Sequence, residues 1–121
     1  MARIVRFHEF GGPEVLRLDE LDVGEPGQGE VRIRVGAFGL NRVEAYFRAG
    51  TFMPPGQLPS TIGYEAAGVI EAVGPGVAAW HRGDRVATLF GLAMDRYGTN
   101  GEVILYPADM LVTVPAGQSL T

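Results

Sequence analysis

The chain has 121 residues, 46% of them hydrophobic and 20% charged, with a formal net charge of −4; it is the size of one domain, too apolar for disorder and too acidic to take nucleic acid as its main partner. Cysteine is absent and all ten basic residues are arginine, which excludes a disulfide framework, a thiolate nucleophile, a Cys-ligated zinc or iron–sulfur centre, a Schiff-base lysine and a P-loop lysine. No apolar run reaches the length of a membrane span and no secretory h-region opens the chain, so no membrane partner is expected and the cytoplasm is the default location.

With 18 Gly and 8 Pro, the chain reads as turn-rich and mainly β. Ala2 to Phe10 is a first strand, in which the β formers Ile4, Val5 and Phe7 are interrupted by Arg3 and Arg6. Gly11-Gly12-Pro13 turns the chain, and Val15 to Val23 is a second strand with Leu16 and Leu18 on one face and Arg17 and Asp19 on the other. After the loop GEPGQG, the segment EVRIRV sets Val31, Ile33 and Val35 against Arg32 and Arg34, a strand with one wet face. These three strands are expected to form a meander. Asn41 to Ala49 is a helix: Asn41 caps it, Glu44 completes a capping box, Val43, Tyr46 and Phe47 share a face, and Gly50 stops it.

Pro54 to Pro59 is an irregular loop, and the small residues Ala66, Ala67 and Gly68 allow another segment to approach closely. Val69 to Val73, Arg85 to Phe90, Glu102 to Tyr106 and Leu111 to Val114 complete the strands; Trp80 is placed as a plug at one end of the core, and Gly91 to Asn100 is a loop. Seven or so short strands predict a small, mainly β domain spanning residues 1–121, a partly open barrel with one or two short helices.

Generic catalytic motifs are scarce. No Gly-x-Ser-x-Gly elbow occurs, and Ser60 and Ser119 are the only serines, which leaves no basis for a serine triad. GQGEVR and GPGVAA each begin Gly-x-Gly but lack the third glycine and the following helix, so they read as hairpin loops rather than nucleotide cradles. Asp19, Glu20 and Asp22 read as a solvated face rather than a catalytic carboxylate pair, His8 as a strand-face residue and His81 as a surface-loop residue. Glu65 is expected to pair with an arginine or a backbone amide, and Phe52 and Met53 either line a cleft or cover the barrel.

The segments VRIRVGAFGLNRVEAYFRAG, LPSTIGYEAAGVIEAVGPGVAAWHRGDRV and YGTNGEVILYPADMLVTVPAGQSL, in that order and spacing, resemble the N-terminal domain of the medium-chain dehydrogenase/reductase superfamily, and within it the zinc-independent quinone oxidoreductase branch. The resemblance covers essentially the whole chain. It implies a GroES-like β-barrel that packs against a separate Rossmann domain, which carries the NADPH site and is missing from this chain; substrate binds in the cleft between the two. In zinc-dependent relatives a Gly-x-Cys-His-x-Asp segment and a Gly-His-Glu segment supply catalytic zinc ligands. The matching stretches here are GLNRVE and GYE, with Asn41 at the Cys position and Tyr64 at the His position. Amide and phenol oxygens are poor zinc ligands, so no metal is expected.

The activity implied is hydride transfer from NADPH to a quinone or an α,β-unsaturated carbonyl, with hydrogen-bond donors in place of a metal. Asn41, Tyr46 and Tyr64 are the candidate catalytic residues; Asn41, Tyr46 and Arg42 are candidates for holding the cofactor, with Arg48 a weaker one. Beside these stand the plainer readings: Asn41 as a helix cap and Tyr46 as a core or rim tyrosine. An enoyl-thioester reductase of the same superfamily and a non-catalytic GroES-like binding or oligomerising module are the alternatives. The full-length enzyme is expected to be a homodimer, and the isolated chain to be inactive with an apolar, uncovered cleft face.

Overall fold

The computed structural model describes all residues, 1–121. Eight strands and two short helices follow one another: β1 (Ala2–Phe7), β2 (Leu16–Leu21), β3 (Glu30–Phe38), α1 (Arg42–Ala49), β4 (Ser60–Thr61), β5 (Ala66–Val73), β6 (Arg85–Thr88), α2 (Met94–Tyr97), β7 (Val103–Pro107) and β8 (Leu111–Thr113). They form a three-stranded sheet, β2-β1-β4, and a five-stranded sheet, β7-β3-β5-β6-β8. All strand pairs are antiparallel. The sheets are joined where the segment before β7 runs beside β1: Val5 N–H donates to the Asn100 carbonyl at 2.9 Å and Glu102 N–H to the Arg3 carbonyl at 3.0 Å. Glu102 passes the link on by accepting from Val35 N–H at 2.9 Å. The result is the partly open GroES-like barrel. No helix is long and apolar enough to cross a membrane.

β3 sits at the centre of the larger sheet because its alternation is clean. Val31 and Ile33 are fully buried in a core with Ile70, Val86, Ile104 and Tyr106. On the opposite face the Arg32 guanidinium bonds Glu71 at 2.7 Å, Glu25 at 3.0 Å and the Gly24 carbonyl at 3.0 Å. Trp80 packs on this core and donates to the Ala108 carbonyl at 2.8 Å, as its predicted plug role requires. A second core joins β1, α1, β4 and α2 through Phe7, Val15, Phe47, Ile62 and Met94; the Phe7 and Phe47 rings meet edge to face at 5.5 Å. The two Gly-x-Gly loops are structural, but only one joins paired strands: GPG lies between β5 and β6, whereas GQG, expected to be a hairpin loop, lies in the crossover from β2 to β3, which belong to different sheets. Gly29 N–H bonds the Pro75 carbonyl at 2.9 Å and Gly74 N–H the Glu30 carbonyl at 2.8 Å.

Several expectations are corrected. The first three strands are not a meander: β1 and β2 pair, but the loop after β2 carries the chain to the other sheet, where β3 takes β5 and β7 as neighbours. Leu16 and Leu18 alternate as read, yet both are exposed, because β2 is an edge strand with no layer over that face. The strand expected from Val69 begins at Ala66, since small side chains fit the close pairing there, and the one expected to reach Phe90 ends at Thr88. The 91–100 loop contains α2, and β4, a two-residue strand, follows the Pro54–Pro59 loop. Asp19 is not a merely solvated carboxylate. It lies half-buried between His8 Nε2 at 2.8 Å and Arg6 Nε at 2.7 Å, and these two partners, His8 first, hold its pKa below the usual carboxylate range.

Glu30 at the start of β3 ties the larger sheet to α2. Tyr97 Oη donates to Glu30 Oε2 at 2.5 Å and Gly27 N–H to Glu30 Oε1 at 2.9 Å. The tyrosine bond and then the backbone bond lower the Glu30 pKa. A carboxyl with a depressed folded pKa contributes stability that is complete above its unfolded value and lost as pH falls through the folded one. Tyr97→Phe is therefore expected to shallow the acid limb of the stability–pH curve while leaving its alkaline side lower than wild type by a constant amount up to the phenol range. Urea melts across pH read this directly.

Candidate active site

The candidate residues gather where the β3–β5 ladder ends. The last pair is Phe38 with Ala66, and Gly39 N–H extends it by donating to the Glu65 carbonyl at 3.3 Å. Asn41 lies two residues beyond Gly39 and Tyr64 one before Glu65, so antiparallel pairing brings two residues far apart in sequence to one end of the sheet. Beside them runs an apolar groove lined by Phe38, Gly39, Glu65, Leu89, Phe90 and Leu120, among others. Of this lining, Phe38, Leu89 and Phe90 are exposed.

Asn41 is the N-cap of α1, with extended backbone angles. Its backbone N–H donates to Glu44 Oε2 at 3.0 Å, and its Nδ2 lies 3.5 Å from the same oxygen. The first helical N–H closure comes from Glu44 N–H to the Asn41 carbonyl, 3.1 Å. Gly50 ends the helix in the left-handed region, φ 80°, which a Cβ would strain. The face expected to be apolar is rearranged: Phe47 is buried together with Glu44, while Tyr46 is half exposed and its hydroxyl has no partner within the chain. That removes the core reading of Tyr46. Arg42 is exposed and makes no ion pair.

Tyr64 is half-buried and stacks on Phe90, ring centres 5.7 Å apart and planes 20° apart. Its carbonyl accepts from Gly91 N–H at 3.3 Å. The stretch that carries Phe90 is fixed from below: the phenol of buried Tyr106 donates to the Leu89 carbonyl at 3.0 Å, and Leu89 N–H bonds the Met110 carbonyl at 2.8 Å. Burial pushes the Tyr106 pKa up, so this phenol stays a donor across the working pH range. Periodicity alone gave no hint of Phe90, because it lies past the end of β6; the aromatic residue just after a strand was the available signal.

Other candidates lie elsewhere. Arg48 Nε donates to the Gly11 carbonyl at 3.1 Å and its own carbonyl accepts from Gly11 N–H at 3.1 Å, so it docks the end of α1 onto the turn after β1. Arg48→Ala is expected to lower the melting midpoint, which a thermal melt checks. Glu65 pairs with neither an arginine nor a backbone amide, contrary to expectation; its exposed carboxylate lies against Gly39, where an added Cβ would stand 2.5 Å from Oε1. His81 is exposed and takes only Asp84 as neighbour, its expected surface position. Phe52 and Met53 are both exposed. Nowhere do three His, Asp or Glu side chains converge as a metal would need.

Residues 27–116 match the family model of the alcohol dehydrogenase GroES-like domain. A quinone oxidoreductase of Pseudomonas aeruginosa is 42% identical over 117 residues, which is 97% of this chain and 34% of that protein. A 2-haloacrylate reductase of a Burkholderia species is 41% identical over 117 residues, covering 95% of this chain and 33% of that one. Among solved structures, the Escherichia coli quinone oxidoreductase complexed with NADPH superimposes with a TM-score of 0.86 at 35% identity, over 98% of this chain and 35% of that one. The chain thus spans about a third of the length of the relatives it matches.

Proposed function

The chain belongs to the medium-chain dehydrogenase/reductase superfamily, in its quinone oxidoreductase branch, and from that membership we propose that it is the substrate-side domain of a zinc-independent, NADPH-dependent reductase of quinones or α,β-unsaturated carbonyls. What supports this reading is the placement of Asn41 and Tyr64 just beyond the same end of the β3–β5 ladder, next to an apolar groove, in a domain that lacks a nucleotide cradle of its own. A Rossmann domain outside residues 1–121 completes the cleft, and the exposed apolar face is what it covers. The absence of cysteine fits a cytoplasmic enzyme.

The residues present suit the edge of a nicotinamide and a flat carbonyl substrate. They offer neutral amide and phenol groups, one free arginine and an apolar wall, and they offer no thiolate or imidazole at the two matched ligand positions. When bound, NADPH supplies the hydride. Asn41 and Tyr46 would hold the nicotinamide ribose or carboxamide, and Arg42 would serve a phosphate. The hydroxyls of Tyr64 and Tyr46 donate to the substrate oxygen as it gains negative charge, the role a metal fills in zinc-dependent relatives. The Tyr64–Phe90 pair and the groove exclude water and favour a planar acceptor. A quinone needs little proton transfer to accept hydride, which accords with a site holding no buried general acid aimed at the groove.

The test is a substrate panel on the full-length protein, with and without a strong zinc chelator. The proposal expects NADPH-dependent reduction of a benzoquinone and of a short enone, undiminished by the chelator. Reduction confined to a crotonyl thioester would select the enoyl-thioester reading. Oligomerisation with no hydride transfer to any acceptor would select the binding-module reading.

A further inference from the structure

Glu44 has no obvious place in the chemistry above, yet the fold buries it. It is 6% exposed and belongs to none of the ion pairs. Burying a carboxylate without a cation is costly unless its oxygens are hydrogen-bonded. Here both are. Oε2 faces Asn41, accepting the backbone N–H at 3.0 Å with Nδ2 at 3.5 Å, and Oε1 accepts from Asn100 Nδ2 at 3.1 Å. Asn100 is itself buried and locked, its N–H on the Ile62 carbonyl at 3.0 Å and its carbonyl on Val5 N–H at 2.9 Å. Beside it, the fully buried Thr99 donates to the Glu65 carbonyl at 3.0 Å. Gly63, φ +124°, completes the contact; a Cβ there would stand 2.5 Å from both Asn100 Oδ1 and Thr99 Oγ1. One polar network therefore runs from the Asn41 side chain through Glu44, Asn100 and Thr99 to the Glu65 carbonyl, next to Tyr64, with Gly63 packed closely against it.

We infer that Glu44, held by Asn100, is a positioning residue that fixes the orientation of the Asn41 carboxamide. A carboxylate only accepts hydrogen bonds. It draws Asn41 Nδ2 toward itself, while the Asn41 side chain faces the Glu44 backbone N–H across the capping box, so the carboxamide is held in one orientation with one N–H left over. A plain helix cap would not require this. The cap needs a single acceptor for Asn41 N–H, and a glutamine supplies one. What glutamine cannot do is accept from Asn41 N–H, Asn41 Nδ2 and Asn100 Nδ2 through two oxygens, since it has only one oxygen and adds donors of its own. Glu44→Gln therefore separates the two roles: the cap survives and the orientation is lost.

The inference rests on the proposed function only for its kinetic arm. In the ¹⁵N-labelled 121-residue chain, the two Asn41 Nδ2 protons are expected to resonate well apart, and to converge toward free-amide positions in Glu44→Gln while the backbone spectrum stays folded. In the full-length protein, Glu44→Gln is expected to lower kcat/KM by about tenfold, the size of one lost hydrogen bond to a charged group, with the KM for quinone little changed. Asn100→Ser, which leaves Glu44 and the cap intact, shifts both readouts in the same direction and serves if Glu44→Gln does not fold. Unchanged Asn41 side-chain signals in the folded variants overturn the inference on its geometry. Changed signals with kcat/KM within about twofold of wild type overturn its functional part. Failure of the wild-type full-length protein to reduce any acceptor strikes the proposed function and leaves the amide measurement standing.

Discussion

Gly68→Ala is expected to destabilise the domain by about 3 kcal/mol or more, a large share of what a domain of this size has. Gly68 lies mid-strand in β5, paired with Val35 on one side and Val86 on the other. An added Cβ would stand 2.2 Å from the Arg34 carbonyl oxygen and 2.7 Å from Ile33 Cγ2. The first contact is with backbone, which no rotamer change relieves, so β3 and β5 must separate or the β3 bulge between Val35 and Ala37 must shift. Gly117→Ala is the control: nothing lies within 4 Å of its added Cβ, and a change below about 0.5 kcal/mol is expected. Urea denaturation of the two variants against wild type measures the difference. Equal midpoints for Gly68→Ala and wild type would show that the two strands tolerate wider spacing.

The second large effect is on turnover. Asn41→Ala in the full-length protein is expected to cost about a hundredfold in kcat/KM, the scale of a misplaced reacting group, since Asn41 is proposed to hold the nicotinamide in place. Its cost to the helix is about 1 kcal/mol or less, because the closing bond at the N-terminus runs to the Asn41 carbonyl, which alanine keeps. Tyr64→Phe retains the ring that stacks on Phe90 and removes only the hydroxyl, so about a tenfold loss in kcat is expected with little change in KM. Steady-state kinetics on folded variants, each checked by a thermal melt, decides. An Asn41→Ala enzyme within about twofold of wild type would reduce Asn41 to a cap.

The sequence and the structure agree most closely where one physical rule acts alone. The alternation in β3 and the cap and glycine stop of α1 were legible because each depends on local geometry. Strand partners were not. The loop after β2 could have closed a hairpin, and nothing local shows that β3 prefers β5 and β7. Leu16 and Leu18 show the same limit, since alternation marks a face but not whether another layer covers it. At the site, Asn41 and Tyr64 emerged only through resemblance to a known family, because their proximity is created by β3–β5 pairing. Glu44 was read as half of a capping box. Its burial depends on Asn100, 56 residues away in sequence, a contact that no spacing rule anticipates.

The central claim is that residues 1–121 form one side of a cleft whose cofactor side lies in another domain. The most direct measurement follows NADPH oxidation with a benzoquinone as acceptor, using the purified 121-residue chain and the full-length protein in parallel. The account predicts no saturable NADPH binding and no turnover by the 121-residue chain, and quinone-dependent oxidation by the full-length protein. Saturable turnover by residues 1–121 alone would contradict it.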